Sequence, residues 1–158
     1  MHIETMGDVI RWSSGFHSNL ADFIEASVAQ SKDERLKMLS SYIADHERQL
    51  AKTVAAFEVV ESDNALGTWC TEFLNKQPLP DTAIKDERWA HFSANELMDE
   101  VRGIHQQLMA LFSHLLSRSA ATPAADMLEQ LLDVEEHQLM LMAHSANRLE
   151  DRPLRMIL

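Results

Sequence analysis

Five residues have the side-chain types and depths that transition-metal sites use: His17, His46, Glu47, His105 and Glu135. Each falls near the middle of a long amphipathic stretch. Imidazole nitrogen beside carboxylate oxygen in one buried layer is the donor inventory of such a site. Glu135 is the sharpest case. In LLDVEEHQLMLM, residues 131–142, the residues Leu131, Leu132, Leu139 and Met142 form an apolar helical stripe, and Glu135 points along its centre. A carboxylate in hydrocarbon is costly unless something pairs with it, so the sequence requires a partner for Glu135. The adjacent Glu136-His137 pair falls mostly on the far side, where His137 and His144 share an outer, solvated face.

A core-facing residue lies near the mean direction of its helix's apolar face, at 100° per residue. On that test His17 and His105 lie at the edges of their stripes, and His46 and Glu47 flank theirs. Their depths agree: His17 precedes a turn by about 14 residues, His46 follows it by about 15, and His105 and Glu135 straddle a second turn in the same way. The four helices therefore bring polar groups to one layer. That layer has two readings, a metal site or a metal-free network of His, Glu, backbone and water. A single His at a core edge is usually satisfied within the core or snorkels to water, and the chain has 8 His.

The elements that position these residues are four amphipathic helices, over about 7–30, 33–62, 93–119 and 123–151. The first carries Val9, Phe16, Leu20, Phe23 and Ile24 at helical spacing, and the third Leu97, Val101, Leu108 and Phe112. Ser31 with Glu34 and Ser93 with Glu96 read as capping boxes. Thr122-Pro123 reads as an N-cap followed by Pro at the first helical position. The first and third connections are tight turns, so each flanking pair is an antiparallel hairpin. The middle connection, 63–92, is long enough to run the length of the bundle, since ~26 helical residues span ~39 Å. Within it GTWCTEFLN reads as a short helix, QPLPDT as loop, and Trp69, Phe73 and Leu74 as a cluster packing on the bundle. The fold class is all-α, a single domain over 1–158 of two hairpins joined by a long crossover. An up-down-up-down bundle is the alternative. On the last helix Met127, Val134 and Leu141 recur every seven residues beside the core face. That second stripe fits a cover for the crossover or a dimer seam.

Composition agrees. Of 158 residues 46% are hydrophobic and 25% charged, with only 4 Gly and 4 Pro, a balance that favours helices over turns. A net charge of -11 argues against nucleic acid and against an anionic membrane. No stretch approaches the ~20 apolar residues of a spanning helix. The opening MHIETMGDVI lacks the pattern of a signal peptide, and Cys70 has no internal partner, which fits a reducing cytoplasm. There is no phosphate loop and no nucleophile elbow.

YIADHERQLAK in the second helix and LLDVEEHQLM in the fourth resemble the ferritin-like superfamily, in its rubrerythrin-like branch. That resemblance implies a four-helix bundle holding two irons through a carboxylate-x-x-His motif on each of these helices and a Glu from each of the other two. Glu47 and Glu135 stand at the carboxylate positions. Leu50 and Gln138 stand where the family has His, and His17 and His105 are the inward polar residues of the other helices. The expected cofactor is iron or another transition metal. The expected role is redox chemistry or metal handling in a homo-oligomer, and a metal-free bundle acting as an association module is the alternative.

Overall fold

The computed structural model describes residues 3–70 and 87–151. The elements run in the order α1 (Met6–Val28), α2 (Glu34–Ala55), α3 (Phe57–Val60), α4 (Asp63–Leu66), a 3-10 helix (Glu87–His91), α5 (Ala94–Arg118) and α6 (Ala125–Asp151). No strand occurs among the described residues, and one isolated bridge joins Thr5 to Trp69.

Local chemistry sets the helix ends. Ser93 and Glu96 form the expected capping box on α5. Thr5 and Asp8 form another on α1, with the Thr5 hydroxyl accepting from the Asp8 N–H at 3.3 Å and the Asp8 carboxylate accepting from the Thr5 N–H at 3.1 Å. The expected Ser31–Glu34 box does not form. Asp33, itself a strong cap, accepts from the Leu36 N–H, while the Ser31 hydroxyl accepts from the Asp33 N–H. α2 stops at Ala55 and not near residue 62. Beyond Phe57 the apolar stripe runs out, with Val59 and Val60 exposed, and the Ser62 hydroxyl caps α4. At the second tight turn the Thr122 hydroxyl donates to Ser119 O and accepts from the Ala124 N–H, so α6 begins two residues later than Pro123.

α1 packs chiefly on α2 and α5 on α6, while α2 touches both α5 and α6. Ser14 Oγ donates to Ala51 O, and Arg48 donates to Asp22 and Glu25. Positions rise along α1 as they fall along α2, so this pair is antiparallel. One apolar core takes Ile24, Ile43, Phe112 and Leu131 from the four long helices.

The middle connection is anchored at both ends of α1. The Cys70 N–H donates to Glu4 O at 2.9 Å and the Met6 N–H to Thr68 O at 2.8 Å. Trp89 is fully buried and packs edge-on against Phe23, ring centroids 4.9 Å apart. Cys70 and Trp89 thus lie near opposite ends of α1. Trp69 does not pack as expected: it is 66% exposed, and the neighbouring Cys70 side chain is buried in its place. The short helix expected at GTWCTEFLN does not form over its first four residues, since α4 ends at Leu66 and residues 67–70 are not helical; the rest of it, with Phe73, Leu74 and the QPLPDT loop, lies outside the described residues. Of the second stripe on α6, Met127 is buried and Val134 packs against the core, while Met140 further round is 54% exposed. No described helix is long and apolar enough to cross a membrane.

Candidate metal centre

Each long helix delivers one polar side chain to the same point in the core. α1 gives His17, α2 Glu47, α5 His105 and α6 Glu135, all between 0% and 1% exposed. They close a four-membered ring. His17 Nδ1 lies 2.7 Å from Glu47 Oε2, and His17 Nε2 lies 2.5 Å from Glu135 Oε1. His105 Nδ1 lies 3.1 Å from Glu135 Oε2, and His105 Nε2 makes a short contact with Glu47 Oε1. Every ring nitrogen therefore meets a carboxylate oxygen, and every carboxylate oxygen meets a nitrogen. The question raised by Glu135 is answered by two histidines.

An ionised carboxylate only accepts, so where both glutamates are ionised all four nitrogens donate. Both imidazoles are then imidazolium and both glutamates ionised, and the ring is neutral as a whole. Burial alone would push the His17 imidazole down, but attraction to Glu135 and then Glu47 outweighs it and raises its pKa to about 9. His105 is raised to about 10, burial again opposing and Glu47 supplying the largest gain. Burial would raise Glu47, yet His105 and then His17 hold it at about 2. Glu135 is lowered against its burial by His17, then His105.

Four of the five expected site residues meet here. His46 does not. It sits half-buried beside Glu47, its Nδ1 2.8 Å from Gln138 Oε1 and its ring 4.4 Å from that of Tyr42. One residue along α2 turns a side chain by 100°, which carries His46 off the ring and into contact with α6. His137 and His144 are exposed, as expected. Cys70 is buried, its thiol raised by desolvation to about 11, with no part in the ring.

One signal in the sequence identifies the ring more sharply than depth does. Thirty positions separate His17 from Glu47, and thirty separate His105 from Glu135. The second hairpin repeats the first at an offset of 88 (105 minus 17, 135 minus 47). Buried residues follow the same offset: Val9 with Leu97, Ile24 with Phe112, Ile43 with Leu131. The contacts obey it as well. Each histidine gives Nδ1 to the glutamate of its own hairpin and Nε2 to that of the other, so the ring has an internal two-fold.

The donors do not make up the two-iron set that the ferritin-like resemblance implies. Leu50 is fully buried hydrocarbon, and Gln138 is engaged with His46. A single ion fits better: among the described residues, one donor atom each from His17, His105 and Glu135 lie within 4.8 Å of one another. Comparison with known proteins finds no relative: no family model matches the chain, no curated protein matches it in sequence, and no solved structure matches it.

Proposed function

We propose that the protein binds one divalent transition-metal ion between His17, His105 and Glu135, in a ferritin-like bundle of two hairpins joined by a long crossover. The observation that carries this reading is the convergence of those three donors from three helices in a dry core. His17 Nε2 and His105 Nδ1 both face Glu135, so an ion there replaces two protons. The ring stays neutral, because two imidazolium charges give way to one dication. Glu47 keeps its two N–H donors, from His17 Nδ1 and His105 Nε2, and so fixes both imidazole orientations, the usual task of a carboxylate behind a metal-bound histidine.

Two imidazoles and one carboxylate suit iron, manganese or zinc and leave coordination positions free. Full burial limits what reaches them to molecules the size of dioxygen or peroxide, which supports redox chemistry or metal holding over catalysis on an organic substrate. The test is metal analysis of untagged protein after supplementation with iron, manganese and zinc. About one equivalent per chain is expected, with none in His17→Ala/His105→Ala; below roughly a tenth of an equivalent in the wild type, the reading fails.

A second reading has its own observation: the ring is complete and neutral with protons alone. In it the four residues are an ionic clasp between hairpins, and the chain works by association, with exposed Met140 on α6 as a contact. Light scattering tests it, and a monomer throughout the micromolar range removes the association.

A further inference from the structure

The two-fold within the ring bears on where an ion sits. Glu135 faces His17 Nε2 and His105 Nδ1. Glu47 faces His17 Nδ1 and His105 Nε2. These are the same donor set, one Nε2, one Nδ1 and one carboxylate, produced twice by the 88-residue offset. All eight atoms belong to residues with at most 1% exposure, so neither side is distinguished by access to water.

We infer that the ring offers two mutually exclusive ion positions that share the same pair of imidazoles, one at Glu135, where the three donor atoms lie within 4.8 Å of one another, and one at Glu47, built of the same donor types. This deepens the metal-binding reading and rests on it. Exclusion follows from the imidazole itself: a neutral ring has one lone-pair nitrogen and one N–H. With the ion at Glu135, His17 must be the Nδ1–H tautomer and His105 the Nε2–H tautomer, and both N–H groups donate to Glu47. With the ion at Glu47 both tautomers are reversed and both N–H groups donate to Glu135. The two glutamates exchange the roles of ligand and orienting carboxylate, and the net charge of the core is the same in either arrangement.

The experiment compares wild type, Glu47→Gln, Glu135→Gln and the double variant, reading zinc stoichiometry and affinity together with helical circular dichroism. Each single variant is expected to keep about one equivalent, with affinity lowered roughly 10–100-fold by loss of an orienting carboxylate; the double variant is expected to lose binding. Loss of binding in Glu135→Gln alone, or in Glu47→Gln alone, would overturn the inference and leave the metal-binding reading standing. Two equivalents in the wild type would also overturn it. No binding in the wild type would overturn both. Should a variant not fold, nitrogen NMR of the zinc-loaded wild type decides: both nitrogens of His17 and of His105 are expected to show metal-bound character, and one fixed tautomer per ring would refute the shared pair.

Discussion

His17 and His105 face one another across the core with ring centroids 5.5 Å apart and planes tilted by 33°. Imidazole lone pairs and N–H groups lie in the ring plane, so neither ring points its nitrogens at the other. They point sideways, at Glu47 and Glu135. In metal-free protein the bundle's centre is thus two imidazolium rings held face to face by two carboxylates, and removing any one of the four leaves its partners unpaired.

Truncating one member should therefore hurt more than replacing the set. Glu135→Leu leaves His17 Nε2 and His105 Nδ1 without an acceptor and should cost about 3–5 kcal/mol in metal-free protein, as for one half of a buried ion pair. Changing all four residues to Leu should give a folded bundle at least as stable as the metal-free wild type. Urea unfolding of the three proteins in chelator checks the order.

Metal adds a separable term. Binding the folded state alone contributes RT ln(1 + [L]/Kd), about 2.7 kcal/mol at a hundredfold excess over Kd. Chelator should lower the melting temperature of the wild type and leave the four-Leu variant unchanged. A wild-type melt indifferent to chelator and to added zinc would argue for the proton-only clasp.

The pH dependence has opposite signs in the two states. The histidines are raised from 6.5 to about 9 and about 10, so their contribution in metal-free protein is complete below about pH 6.5 and is lost as pH rises through 9 to 10. Glu47 and Glu135 are lowered from 4.5, Glu47 to about 2, so theirs is complete above about pH 4.5 and is lost on acidification. Metal-free stability should hold between about pH 4.5 and 6.5 and fall on both sides. Metal binding displaces protons, so affinity should climb between pH 6.5 and 9 while metal-free stability declines. Denaturant midpoints with chelator and with zinc should diverge over that window.

His46→Ala should leave metal stoichiometry intact and cost about 1 kcal/mol for the lost Gln138 hydrogen bond. Metal analysis beside urea unfolding separates this outcome from a ligand role. Gly15→Ala and Gly103→Ala should each stabilise by about 0.5–1 kcal/mol, since both glycines sit inside helices and an added Cβ meets no atom within 4 Å.

Glu135 was legible because a carboxylate on the axis of an apolar stripe has no other explanation, and the stripes themselves gave the four helices. His46 was misplaced because a helical wheel averages over a face, and at its edge one residue decides between facing the core and facing a neighbouring helix. Glu47, on the other flank of the stripe, went in. The helix ends followed competition among caps that spacing alone does not rank, as Ser31 and Asp33 show. The middle connection kept its two anchors, Cys70 and Trp89, for tertiary reasons: one pairs with Glu4 and the other fills a seat beside Phe23, and neither contact has a periodicity to read.

The offset between the hairpins also has a consequence during synthesis. On the ribosome His17 and Glu47 emerge as a matched pair 88 residues ahead of Glu135. At 5–20 residues per second that is a delay of roughly 4–18 s, during which the first hairpin carries one imidazole and one carboxylate with half their partners missing. The half-ring is then a nascent-chain liability, open to water, stray cations and a second nascent copy, and it closes only once the last helix has been made.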